Sequence, residues 1–259
     1  VLDDGTGVLI DFNSPTQLAE AATALLTDPG RMDRLGRNAL QRMRATAWDN
    51  VAIAHARTFA RRTGSTEELS FQWPPVSLKH LTRMTDDIGM VQFCDMSDPD
   101  VGSGYTLDDN ARALIALCYH VRNEGAVGGV LKLMERYLDY IQHCQRTDGG
   151  FLNYADASGA FTAQNHGENL EDSNGRAIWA LGVCVAHQAL LPEALSTKAG
   201  SILRASLAHV DGLSSPRAIA FAMKGLQAYG SVRSTAIISG SIDRSAMKLM
   251  GAYRAASTE

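Results

Sequence analysis

Along most of this chain the apolar positions recur every three or four residues, the period of one helical face, and no long segment alternates as a strand does. From residue 77 onward the pattern predicts helices over 77–86, 107–122, 127–145, 173–190, 193–210, 216–229 and 243–256. Glycines and aromatics gather in the connections instead. "DPDVGSGY" precedes one helix and "RTDGGFLNYADASGAFTAQNHGEN" precedes another.

Residues 1–62 carry a different pattern. "DDGTGVLID" reads as a glycine-punctuated turn and a short strand, Val8 to Ile10. Ser14-Pro15 then places a cap beside a first-turn proline, ahead of the helical "TQLAEAATALL". Asp28-Pro29-Gly30 breaks that helix, "RMDRLGRNALQRM" begins another, and a third starts near Trp48. Residues 63–76, "TGSTEELSFQWPPV", turn small and polar before Trp73-Pro74-Pro75 and read as a linker, so a second domain is expected over 77–259.

Composition narrows the class. The chain has 259 residues, 45% hydrophobic and 20% charged, which is an ordinary balance for a globular protein with room for a core. A net charge of −4 and a pI near 6.0 argue against a nucleic acid or an anionic membrane as partner. No apolar run is long enough for a transmembrane segment and no signal peptide opens the chain, so a cytoplasmic location is expected. Cys94, Cys118, Cys144 and Cys184 form no CxxC pair; no metal site is expected, and the last three read as buried thiols. The chain opens at Val1 without a methionine and stops inside a helical pattern near Tyr253, which reads as a piece of a longer protein.

"DDGTGVLIDFNSPTQLAEAATALLTDPGRMDRLGRNALQRM" followed by "WDNVAIAHARTFARR" resembles the closing segment of GT-B glycosyltransferases of the family 4 (group 1) type. In that family a DG-x-G loop and strand precede a helix, an LL-x-D-P turn, an LG-x-x-A helix and a tryptophan-containing final helix. The resemblance implies that residues 1–62 are a short α/β remnant of a Rossmann-like GT-B domain. It also implies a nucleotide-sugar donor for the full-length transferase, but no cofactor for this segment. The family's Glu-x7-Glu donor element lies before the DG-x-G loop, so residues 1–62 alone are not expected to transfer a sugar.

A repeated motif organises the rest. Asp108, Asn110, Arg112 and Ala113 recur as Asp172, Asn174, Arg176 and Ala177, giving Asp-x-Asn-(Ala/Gly)-Arg-Ala at two predicted helix starts. "LSSPRAIAFAMKGL" is a weaker third copy, with Arg217-Ala218 and no aspartate. Repeated helical pairs bury their apolar faces on one another and build an α-solenoid or an (α/α) toroid. "QRTDGGFLNY" resembles the helix-connecting loops of (α/α)6 toroid carbohydrate enzymes. The expected fold class is therefore mainly α: the GT-B remnant followed by an (α/α) toroid-like, incomplete hairpin array.

Two chemistries compete for the motif. Thr106 and Asp109, and likewise Asn169 and Asp172, stand three apart like a capping box, and first-turn carboxylates are favoured by the helix dipole. On that reading Asp108, Asp109, Glu171 and Asp172 are caps, and Arg112 and Arg176 hold carboxylates from neighbouring helices. If instead both helix starts face one cleft, their carboxylates suit glycoside hydrolysis, which needs one ionised and one protonated acid. The candidate catalytic set is Asp108, Asp109, Glu168, Glu171 and Asp172. Glu168 is the proton donor, since like charges crowd it in "NHGENLED" and crowding raises a carboxyl pKa.

The candidate substrate-binding set is Asp86, Asp87, Tyr105, Arg112, Phe151, Tyr154, His166, Asn174 and Arg176. His166 would bind a sugar hydroxyl or shuttle a proton. Phe93, Tyr105, Phe151, Tyr154 and Phe161 supply flat apolar faces near the proposed mouth, whereas Trp179, inside an apolar helix, reads as core. Asp86 and Asp87 end a helix where the dipole disfavours carboxylates, so capture of loop N–H groups or a function must compensate. The leading expectation is a carbohydrate-active protein, a glycosyltransferase tail joined to a domain that binds or processes a glycan or small sugar. The alternatives are a glycosidase or sugar epimerase in the helical domain, and a non-catalytic helical scaffold.

Overall fold

Prolines set the first two helix starts in the computed structural model, which describes residues 5–64, 76–126 and 128–256. The chain divides into two units, one ending at Pro75 and the other beginning at Val76. Residues 1–4, where the DG-x-G loop begins, and most of the 63–76 linker segment lie outside the described residues.

In the first unit Ser14 caps α1 (Pro15–Thr27) by accepting from the Gln17 N–H at 3.4 Å, and Asp28 caps α2 (Pro29–Met43) by accepting from Arg31 at 2.9 Å. A 3₁₀ turn, Arg44–Thr46, leads to α3 (Trp48–Thr63), which ends on Gly64 in the left-handed region. The strand expected at Val8 to Ile10 does not form, because no ladder partner exists for it among the described residues of this unit. Leu35 alone is buried among those residues, while Phe12, Leu26, Leu40, Trp48 and Phe59 stand exposed. This unit draws little hydrophobic stabilisation from its own contacts.

The second unit is built from α4 (Lys79–Arg83), β1 (Val91–Asp95), β2 (Asp98–Thr106), α5 (Leu107–Glu124), α6 (Gly128–His143), β3 (Tyr154–Ala155) and α7 (Gln164–Gly167). Then follow α8 (Glu171–Ala186), α9 (Glu193–Ala205), α10 (Leu207–Val210), α11 (Pro216–Gly230) and α12 (Ala236–Ala256). Three helical hairpins result: α5 with α6, α8 with α9, and α11 with α12. Helix α8 packs between α5 and α11, and α6 packs on α9. Leu114 and Leu117 of α5, Met134 and Leu138 of α6, Ile178 and Leu181 of α8, and Leu203 of α9 are fully buried in one core.

The contact between α8 and α11 has no room for side chains. A Cβ on Gly182 would fall 1.9 Å from the Gly225 carbonyl oxygen, one on Gly175 2.5 Å from that of Ala218, and one on Gly225 2.2 Å from that of Ile178. Gly175 meets Ala218 and Gly182 meets Gly225, seven residues further along both helices, so the pair runs parallel with backbones touching.

The unit is mainly helical, with one three-stranded antiparallel sheet ordered β1-β2-β3. Val91 pairs with Tyr105, Asp95 with Asp98, and Tyr105 in turn with Ala155. The hydrophobic pattern hid this sheet because β2 is "DPDVGSGYT", whose proline and glycines read as loop. Gly104, at φ 73°, lies so close to β3 that a Cβ would sit 2.1 Å from the Ala155 oxygen. Several boundaries also move: α4 covers only Lys79–Arg83 of the helix expected over 77–86, and α8 runs Glu171–Ala186 where 173–190 was expected. The last helix begins at Ala236 rather than 243, and the segment expected over 193–210 breaks at Ser206 into α9 and α10.

Candidate functional site

The starts of α5, α8 and α11 lie together, joined by side chains that cross from each helix to the next. At α5 the Thr106 hydroxyl accepts from the Asp109 N–H at 3.2 Å and donates to the Asp109 carboxylate at 2.6 Å, a reciprocal cap. Asp108 accepts from its own helix's Arg112, through Nε at 3.1 Å and through Nη2, and from Arg176 of α8 at 2.5 Å. Asn153 holds the Asp108 N–H at 3.2 Å.

The start of α8 is arranged differently from its motif twin. Asn169 accepts from Glu171 N–H at 2.9 Å, and Asp172 turns outward to α11, accepting from the Ser215 hydroxyl at 3.2 Å and from Arg217. The capping box expected of Asn169 and Asp172 therefore does not form, because α11 offers Asp172 a cation. Glu171 takes the Ser214 N–H and hydroxyl, both at 2.8 Å, and the Ser215 N–H at 2.5 Å. Burial pushes the Glu171 carboxyl up, but the hydrogen bonds from Ser215 and Ser214 outweigh it and hold the group below the ordinary glutamate range.

A rule emerges from the motif. Its aspartate reaches the motif arginine of the following helix, Asp108 to Arg176 and Asp172 to Arg217. Its asparagine clamps the preceding chain to the helix. Asn110 is fully buried, accepts from Met90 N–H at 2.9 Å and donates to the Thr106 oxygen at 2.8 Å. Asn174 accepts from Phe151 N–H at 2.7 Å and donates to the oxygens of Phe151 at 3.0 Å and Leu170 at 2.8 Å. Each buried amide thus satisfies backbone groups that would otherwise lack partners.

Of the other residues singled out from the sequence, Phe151 joins this constellation through its backbone on Asn174, and the rest make their recorded contacts elsewhere. Asp86 captures the N–H groups of Ile88 and Gly89 at 2.9 and 3.2 Å and accepts from the Tyr105 hydroxyl at 2.5 Å. Burial and that carboxylate push the Tyr105 hydroxyl far above the usual tyrosine range. Asp87 pairs with Arg136 at 2.9 Å. Phe151 is buried beneath Asn174, and Tyr154 sits in β3 with its N–H on Asn165 at 2.9 Å. His166 in α7 and Glu168 at that helix's end are exposed.

Sequence reasoning missed an aromatic cluster on the same helices. Trp179, expected in the core, packs half-buried against it and also stacks on Phe221 with ring centroids 5.7 Å apart and planes at 6°. The Arg176 guanidinium lies 5.0 Å from the Phe221 ring, and the Lys224 ammonium 3.3 Å from the indole. The available signal was spacing: Trp179 follows Arg176 by three residues, and Lys224 follows Phe221 by three, so each pair shares a helical face.

Among the described residues no group of three or more His, Cys, Asp or Glu side chains is placed to hold a metal ion. None of their helices is long and apolar enough to cross a membrane.

With this geometry in view, part of the chain is glycosyltransferase-like. Over 63 residues it is 41% identical to the D-inositol 3-phosphate glycosyltransferase of Xylanimonas cellulosilytica. That similarity covers 24% of this chain and 15% of the relative's length. No protein-family model matches the chain.

Proposed function

We propose that the chain is part of a nucleotide-sugar-dependent glycosyltransferase of GT-B type, with residues 1–62 its closing segment. Residues 77–259, past a linker over 63–76, are an (α/α) toroid-like domain that binds glycan for the transferase. The local similarity to a glycosyltransferase supports the first part. One observation favours binding over hydrolysis: the first-turn carboxylates of α5 and α8 are already engaged by arginines, hydroxyls or backbone amides. A glycosidase needs one carboxyl held protonated, in a dry or acidic setting, and the candidate donor Glu168 is exposed. The mouth of α5, α8 and α11 then serves as the glycan surface, with Trp179 and Phe221 as its flat apolar element.

Titration calorimetry with a panel of oligosaccharides tests this reading. Saturable binding is expected, and it should be lost in Trp179→Ala at a temperature well below that variant's own, lowered melting point, where circular dichroism shows it folded. Release of reducing sugar that disappears in Asp108→Asn would replace it with a glycosidase. Binding by no member of the panel would leave a helical scaffold.

A further inference from the structure

We propose that the ligand of this face is an acidic saccharide, one carrying a carboxylate or phosphate, which deepens the glycan-binding reading and rests on it. The sequence suggests an acidic mouth, but within its ion pairs the arginine is the more exposed partner. Asp108 is 18% exposed and Asp172 23%, whereas Arg112 and Arg217, which lie over them, are 54% and 70% exposed. The acids sit low and orient the guanidinium groups, and the cations meet water. A guanidinium has five N–H donors in a planar fork, so Arg217 keeps donors for a ligand after serving Asp172.

The aromatic pair lies further along α8 and α11 than the first turns that carry the ladder. Arg176 connects it to the ladder, covering Phe221 with its guanidinium while bonding Asp108. Lys224 is exposed and rests on the indole by a single ammonium on a flexible stem. Swinging that ammonium onto a ligand anion uncovers the Trp179 face for the C–H groups of a pyranose ring. Anion recognition and ring stacking are therefore coupled in one movement. Single-stranded nucleic acid fits less well: Trp179 and Phe221 stack on each other rather than standing apart to receive a base, and the chain's net charge is −4.

The test is calorimetric titration of the intact chain with trigalacturonate, glucose 6-phosphate, neutral maltotriose and a short oligo-dT. At least one acidic sugar should bind about tenfold or more tighter than maltotriose, with the advantage shrinking at about 0.5 M salt. The Lys224→Gln/Arg217→Gln variant should lose that advantage. If the double variant melts lower, Lys224→Gln alone decides, since Lys224 touches only the Trp179 ring among the described contacts. Carboxylate and phosphate sources separate by which acidic probe binds. Equal affinity for acidic and neutral sugars overturns this inference and leaves the glycan-binding reading standing. Binding of no sugar overturns both, and tighter binding of oligo-dT overturns it in favour of nucleic acid.

Discussion

Glu171 spans the gap between two helices, fastening the Ser214-Ser215 turn that launches α11 from the first turn of α8. Because its folded pKa is lowered, its contribution is complete above the ordinary glutamate range and is lost as pH falls through the depressed value. Glu171→Gln should lower stability by about 1–2 kcal/mol at neutral pH. In urea denaturation followed across pH, the gap between variant and parent should close under acid. At this scale the sequence displayed the residue types but not their partners. Arg176 was readable as a holder of a neighbouring helix's carboxylate, and it holds Asp108. Arg112 instead folds back on its own helix. Asn110 and Asn174 repeat visibly, yet their role as clamps depends on Met90 and Phe151, brought in by a sheet and a loop that no helical period could reveal.

Between elements, the decisive contact is the seam of α8 on α11. Gly182→Ala places a methyl group against the Gly225 backbone and should cost about 2–3 kcal/mol, a fall of roughly 5–10 °C in melting temperature. Gly251→Ala on α12, where a Cβ meets nothing, should leave melting unchanged or raise it slightly. Differential scanning calorimetry of the two variants gives the comparison directly. The helices themselves were legible from apolar spacing because each hairpin buries a continuous face. The sheet was not, since β2 owes its extended form to the ladder from β1 and β3 and its own residues favour turns. The seam was equally hidden: glycines inside a helical pattern lower its helix propensity, and only the facing backbone explains why they are there.

For the molecule as a whole, the two units differ in what each buries. The first has one buried apolar residue among those described, with Trp48 87% exposed, while the second carries the whole hydrophobic core cluster. Expressed alone, residues 1–62 should show no cooperative melting transition by circular dichroism, and residues 76–259 should melt in one step. The helix starts of the first unit were legible because turn chemistry is local; its exposed apolar surface was not, because burial is a property of the neighbours. The ladder of aspartates and arginines has a direction, each acid looking forward along the chain. Asp172 waits for a cation on a helix that follows 45 residues later, and Glu171 for amides 43 and 44 residues on. During synthesis from the ribosome, α8 would emerge with its charged start unmatched and acquire its final form only when α11 arrives. Each hairpin is thus finished by its successor, so assembly is expected to proceed as a relay rather than as three separate events.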